Sequence, residues 1–343
     1  MKIGLAEIAE RAGVSPATVS RVLNDKPGVH EKTRRAVLTA VDVLGYERPA
    51  QLRPRVAGLI GLLVPELENP IFPRFAQVIE TSLAQHGFTP VLCTRSLGGV
   101  HEDDYVQVLL DRGVSGIIFV SGIHAIVDTD PSRYARLTEQ GVPIVLVNGY
   151  LPGVEASFVS NDDAVAADLA VGHLAQLGHT KIGLATGQRR YGTVTRRVAG
   201  FRDAVRRHVH ADLDPDGPGG LVECTVFTVE GGAMAAHALL DRGATAIVCG
   251  SDLMALGAIR AAHERGLRVP EDVSVVGSDD SILIEFTDPP LTTIRQPVQA
   301  MGTAAVRALM EEIGGTPPPS SEMVFRPELV LRGSTARVPT RAH

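Results

Sequence analysis

From residue 58 onward, short apolar runs alternate with helix-length amphipathic segments, and few folds accommodate that order. The runs at 59–64, 89–94, 116–120, 144–148, 181–185, 222–227, 246–250, 273–277 and 291–294 read as buried strands, with a last one at 328–331. Helical segments lie between most of them, including 72–85, 163–177, 232–240, 253–265 and 300–312. Strands separated by helices build parallel sheets with crossover helices. The stretch Leu110-Asp111-Arg112-Gly113-Val114-Ser115-Gly116-Ile117-Ile118 returns as Leu240-Asp241-Arg242-Gly243-Ala244-Thr245-Ala246-Ile247-Val248. Two similar α/β lobes are therefore expected, with ligand sites outside the strand C-termini.

The first 57 residues follow a different period. Leu5, Ile8, Ala9 and Ala12 recur at helical spacing until Gly13 breaks the helix. Ser15 then suits an N-cap and Pro16 the first helical position, because no intrahelical partner needs the missing N–H. In this second helix Val19, Val22 and Leu23 face inward, leaving Ala17, Thr18, Ser20 and Arg21 outward. A third helix over 31–44 presents Ala36, Val37, Ala40, Val41 and Leu44 on one face and stops at Gly45. Two short helices joined at a glycine, closed by a third, predict an all-α helix-turn-helix domain; a three-helix bundle without a ligand is the bland alternative.

Charge divides at the same place. The net charge of −6 over 343 residues conceals ten basic against six acidic residues in 1–57, a +4 head on a −10 body. That asymmetry suggests a head that meets a polyanion. The longest apolar runs fall far short of a membrane span, and acids stand where a signal peptide needs an apolar stretch, so a soluble cytoplasmic chain is expected. Cys93, Cys224 and Cys249 form no CxxC, which predicts neither a disulfide framework nor a zinc site.

The run Ile8-Ala9-Glu10-Arg11-Ala12-Gly13-Val14-Ser15-Pro16-Ala17-Thr18-Val19-Ser20-Arg21-Val22-Leu23-Asn24, followed by Thr33-Arg34 and Leu44-Gly45-Tyr46, resembles the LacI/GalR family of bacterial transcription regulators. The resemblance implies that the second helix enters the major groove of double-stranded operator DNA, with Pro16, Ala17 and Arg21 at base-reading positions. Arg21 suits a bidentate contact to guanine, Ala17 only a thymine methyl, and Pro16 offers neither donor nor acceptor. Ser15, Thr18, Ser20, Asn24 and Thr33 match phosphate-side positions, with Leu5 and Ala6 at the groove edge. The linker departs from the family pattern. Tyr46-Glu47-Arg48-Pro49-Ala50-Gln51-Leu52-Arg53-Pro54-Arg55 lacks the usual Asn and is short, and Pro54 cannot sit inside a continuing helix. Leu52 is its minor-groove wedge candidate and Arg53 a flanking phosphate contact, with a plain basic linker as the alternative.

The same resemblance implies a periplasmic-binding-protein-like body whose chain crosses between lobes near 157–161, 293–297 and 321–324. It places effector contacts on Phe72, Asn148, Arg197, Phe227, Ser251, Asp279 and Gln296. Arg and Asp supply charge-assisted bonds to vicinal hydroxyls, and an aromatic face packs the apolar side of a sugar ring. On residue type alone, Arg197 reads equally as a helix arginine, Asp279 as a helix cap, and Phe72 and Phe227 as core. Ser251 and Asn148 stand where the family often has Asn and Asp, which leaves effector identity open. A carbohydrate is the default, and the segment Pro65-Glu66-Leu67-Glu68-Asn69-Pro70-Ile71-Phe72-Pro73 hints at a maltose-type α-glucoside.

Catalytic motifs are missing. No GxGxxG or Walker loop occurs, and Gly113-Val114-Ser115-Gly116 is one residue short of a nucleophile elbow. His208 with His210, and His263 with Glu264, read as surface helix ends, and the acid pairs Asp103-Asp104 and Asp162-Asp163 as helix caps. No cofactor or metal is expected, and an α/β enzyme or a sugar-binding protein without a DNA role are the rival readings. The expected organisation is a helix-turn-helix domain over 1–45, a hinge over 46–57, and a two-lobed body over 58–333. Within the body the first lobe covers about 58–159 and 297–322, the second about 160–294 and 323–333, before a polar tail over 334–343. Without leucine heptads after the body, the expected assembly is a homodimeric repressor rather than a coiled-coil tetramer. Effector binding between the lobes is expected to release this repressor from its operator, with a co-repressor that tightens binding as the alternative.

Overall fold

The computed structural model describes residues 4–24, 26, 28–44, 46, 57–95, 99–210, 214–217, 219–316 and 320–338. The chain forms two compact units, Met1–Ala57 and Gly58–His343. In the first, α1 (Leu5–Ala12), α2 (Pro16–Leu23) and α3 (Glu31–Val43) enclose Ile8, Ala9, Val19, Val22, Leu23, Val37, Ala40 and Val41. Gly13 makes the turn between α1 and α2 at φ 66°, a left-handed conformation costly for a residue with a Cβ. The Ser15 hydroxyl accepts from the Thr18 N–H at 3.2 Å, the expected N-cap. One expected core position is corrected: Ala36 is exposed, because the inward stripe of α3 passes through Val37, Ala40 and Val41.

The second unit contains two six-stranded sheets. The first joins β1 (Gly58–Val64), β2 (Phe88–Thr94), β3 (Gly116–Val120), β4 (Ile144–Val147), β5 (Ser157–Asn161) and β11 (Glu322–Phe325), in the order β11-β5-β4-β3-β1-β2. Every pairing in it is parallel. Its helices are α4 (Ile71–Gln85), α5 (Glu102–Asp111), α6 (Ser132–Glu139) and α11 (Val298–Ile313). The second joins β6 (Ile182–Thr186), β7 (Val222–Cys224), β8 (Ala246–Cys249), β9 (Ser274–Ser278), β10 (Thr292–Arg295) and β12 (Glu328–Val330), in the order β12-β10-β9-β8-β6-β7. Only its β10–β12 pair is antiparallel. The helices α7 (Asp163–Gln176), α8 (Gly192–His208), α9 (Val229–Asp241) and α10 (Asp252–Glu264) cover its two faces. Each sheet is thus apolar on both sides, which accounts for strands that read as continuous hydrophobic runs.

Two expected boundaries move. Glu322–Phe325 pairs residue for residue with β5, so 323–325 belong to the first sheet and the third crossing follows Phe325. The expected polar tail is pinned at its start. The Ser334 hydroxyl, fully buried, donates to the Val275 carbonyl at 2.6 Å and accepts from the Thr292 N–H at 2.8 Å. The Val338 N–H reaches the Leu177 carbonyl at 3.0 Å. Residues 334–338 therefore belong to the second lobe. The expected strand at 222–227 ends at Cys224, where Thr228 caps α9. All three cysteines are free. Among the described residues, no helix is long and apolar enough to cross a membrane, and no group of three metal-ligating side chains occurs.

Candidate nucleic-acid interface and effector cleft

The head presents a polar face built by α2. Ser15, Pro16, Ala17, Arg21 and Asn24 are exposed, Thr18, Ser20 and Thr33 half-buried, and Leu5 and Ala6 exposed on α1. The face is preorganised: the Ser15 and Thr18 hydroxyls lie 2.9 Å apart, and the Asn24 amide donates to the Ser20 carbonyl at 2.7 Å. Hydroxyl and amide groups held this way suit phosphate oxygens, while Arg21 extends the one guanidinium of α2 outward. Leu52 and Arg53 lie outside the described residues.

In the body, the C-terminal ends of the strands carry the polar groups. Arg197, on the second turn of α8, is nearly buried; it donates to the Gly250 carbonyl at 2.6 Å and to the Asp163 carboxylate at 3.1 Å. Gly250 follows β8, and a Cβ there would meet the Thr186 hydroxyl at 2.9 Å, the Phe227 ring at 3.0 Å and the Arg197 guanidinium at 3.2 Å. Only glycine lets these three groups converge. Asp279, just after β9, accepts from the Gln296 amide at 2.7 Å. Burial, reinforced by the neighbouring Asp252, pushes the Asp279 carboxyl well up. Asp252 accepts from Thr293 and from both the Ser281 N–H and hydroxyl, yet burial holds it up at about 6. Burial likewise raises Asp163 against the pull of Arg197.

Five expected contacts, Arg197, Phe227, Ser251, Asp279 and Gln296, thus sit at the C-terminal ends of second-sheet strands or beside them. Ser251 spends its lone pair as the N-cap of α10, accepting from the Met254 N–H at 3.2 Å. Phe227 also packs on both core layers of its lobe, so the core alternative holds for part of its surface. The other two belong to the first lobe. Asn148 follows β4 and bonds Ser121, which follows β3, at 3.2 Å; Phe72 packs on the first-lobe core. No bond joins either to the Arg197 cluster among the described residues.

Two further observations mark the strand ends. Among the described residues, the non-glycine residues at positive φ are Ser121, Asn148, Asp279 and Asp280, all just after β3, β4 or β9. Such strain concentrates at ligand sites. Buried polar atoms without a partner also collect there: the amide oxygen of Asn161, the hydroxyls of Ser160 and Thr186, and Oε1 of Gln296, while the Asn161 amide N–H lies against Asp163. Sequence reasoning did not single out Asn161 or Thr186 and took Asp163 for a cap. In fact Asp162 caps α7, accepting from the Val165 N–H, and Asp163 turns to Arg197. The usable signal was an Asn-Asp-Asp run closing a strand at a lobe crossing.

A helix-turn-helix unit in one chain with a two-lobed α/β unit is the organisation of a DNA-binding regulator. Residues 4–49 match the profile described as bacterial regulatory proteins, lacI family, and 171–335 that of a periplasmic binding protein-like domain. The chain is 60% identical over 339 residues to the HTH-type transcriptional regulator reg1 of Streptomyces lividans, covering 99% of this chain and 98% of that protein. It is 59% identical, with the same coverage, to the HTH-type transcriptional regulator MalR of Streptomyces coelicolor. It belongs to the LacI family of DNA-binding transcriptional regulators. Among solved structures, a CelR–cellobiose complex is 32% identical with a TM-score of 0.71, over 97% of this chain and 99% of that one. A lac repressor dimer bound to operator and the anti-inducer ONPF is 29% identical with a TM-score of 0.69, over 98% and 100%.

Proposed function

We propose that the protein is a cytoplasmic repressor that binds a pseudo-palindromic operator as a homodimer and leaves it when a sugar occupies the cleft between the lobes. The Asp163–Arg197 and Asp279–Gln296 pairs, surrounded by the partnerless groups of Asn161, Thr186 and Gln296, carry this reading. Hydroxyl-rich ligands satisfy such a mixed set of donors and acceptors, and leaving those atoms unpaired is costly. Phe227 supplies the apolar surface and Asn148 the first-lobe amide. A maltose-type α-glucoside is the first candidate, supported by the likeness to MalR; the likeness to a cellobiose complex supports a glucose disaccharide without favouring the α linkage.

The homodimer reading is supported by an apolar patch on the second lobe. Ile282, Leu283 and Phe286 are 79%, 70% and 77% exposed around a short 3-10 turn. Clustered exposed apolar side chains mark association surfaces. Two heads so paired read half-sites about 34–36 Å apart. Footprinting on the protein's own promoter tests this: paired protection one helical turn apart is expected, and protection of one half-site or none contradicts it.

A further inference from the structure

Resting on the reading of the cleft as a sugar site, we infer that it selects uncharged sugars and rejects phosphorylated or carboxylated ones, with Asp163 as the residue that sets this preference. Arg197 is the guanidinium of the buried cluster, and it is already engaged on Asp163 and on the Gly250 carbonyl. Asp279 and Asp252 stand close by, buried. The neighbouring Arg196 is likewise held, by Glu322 across the lobes at 2.6 Å. Each guanidinium of the cluster is therefore already paired, and an incoming anion finds no unbalanced cation there to offset its lost hydration.

Three of the four helix N-termini in the second lobe agree. A bare N-terminus is a ready anion site, but three of the four that begin in the second lobe are filled by the chain itself. Asp162 caps α7 with Asp163 in its first turn, Thr228 caps α9 above Glu230, and Ser251 caps α10 above Asp252. The fourth, α8, starts without a side-chain cap beside Arg190 and Tyr191. What remains unsatisfied is neutral: the amide oxygens of Asn161 and Gln296 and the hydroxyls of Ser160 and Thr186. Neutral donors and acceptors match hydroxyls.

The test is calorimetric titration of the full-length protein with matched pairs: glucose against glucose 6-phosphate and glucuronate, ribose against ribose 5-phosphate, maltose against maltose 6′-phosphate. A neutral member is expected to bind at least tenfold more tightly than its anionic partner. Asp163→Asn, which keeps the shape but frees the charge of Arg197, is expected to narrow that ratio at least tenfold. If circular dichroism shows Asp163→Asn unfolded, Glu322→Gln, which frees the charge of Arg196, takes its place with the same expected direction. Equal or tighter binding of an anionic member by the unaltered protein, as from a phosphate seated at α8, overturns the charge selection while leaving a sugar regulator intact. An unchanged ratio in the folded variant overturns the role of Asp163. Binding of no sugar of either kind overturns the sugar reading itself, and the selection with it.

Discussion

Replacing Arg197 by Met removes one half of a buried ion pair and shows what the pair is worth. The Asp163 side chain is 3% exposed and that of Arg197 11%. Across 3.1 Å, and at an effective dielectric constant near 20, their attraction is about 5 kcal/mol. Breaking a buried pair from one side typically costs about 3–5 kcal/mol, because the orphaned charge stays buried. Arg197→Met is therefore expected to lower the melting temperature by roughly 6–20 °C in a circular dichroism melt. Asp163 has an escape: burial already raises its carboxyl, and without Arg197 it takes up a proton more readily. The defect should accordingly shrink between pH 8 and pH 5. Adding Asp163→Asn removes the orphan, so the double variant should regain about 2–3 kcal/mol over the sum of the single losses. A single-variant loss below about 1 kcal/mol, or additive losses, would refute the account of Arg197 as a buried counter-ion.

Other parts of the molecule yield separate tests. Phe286→Glu places a charge in the exposed Ile282–Leu283–Phe286 patch and should shift sedimentation from dimer to monomer; an unchanged dimer moves the interface elsewhere. The His124 ring is buried, donates from Nε2 to the Val147 carbonyl at 3.0 Å, and is pushed by burial down to about 4. Its unfolded form gains a proton below about 6.5, so its contribution, present above that pH, is lost as pH falls towards 4, by about 3 kcal/mol in all. His124→Gln should flatten the acid limb of stability between pH 6.5 and 4, and an unchanged slope would exclude His124 as its source. Arg21→Ala should weaken operator binding by about 1–3 kcal/mol while relaxing choice at one base pair; an equal loss on random DNA in a gel shift would leave Arg21 as a phosphate contact only.

The lobes were legible because strands buried on both faces leave uninterrupted apolar runs, as in Ile144–Val147 and Ala246–Cys249. Where a strand carries polar residues the signal fades. Ser157–Asn161 and Glu322–Phe325 pair as neighbours in the first sheet, yet they read only as crossings, since Phe158, Val159, Met323 and Phe325, which pack on the core, are interrupted by polar Ser160, Asn161 and Glu322. The tail misread has the same origin: Ser334 and Ala336 are tied down through hydroxyl and carbonyl groups that carry no hydrophobic period. In the site, Arg197 and Asp279 could be matched to positions of a known motif. Asp163, Asn161 and Thr186 could not, because their role arises where the ends of β5 and β6 meet the start of α7. Ala36 shows the limit of periodicity in a short helix, where a stripe one residue too wide costs nothing to propose.

The most direct test of the account follows fluorescence anisotropy of a labelled operator fragment, bound by the full-length protein, during titration with maltose and the other neutral sugars. The account predicts that one of them weakens operator binding roughly 5–150-fold, the range of ordinary allosteric coupling, and that Arg197→Met binds DNA but does not respond. Operator affinity that no neutral sugar changes, or that a bound sugar tightens, would contradict it.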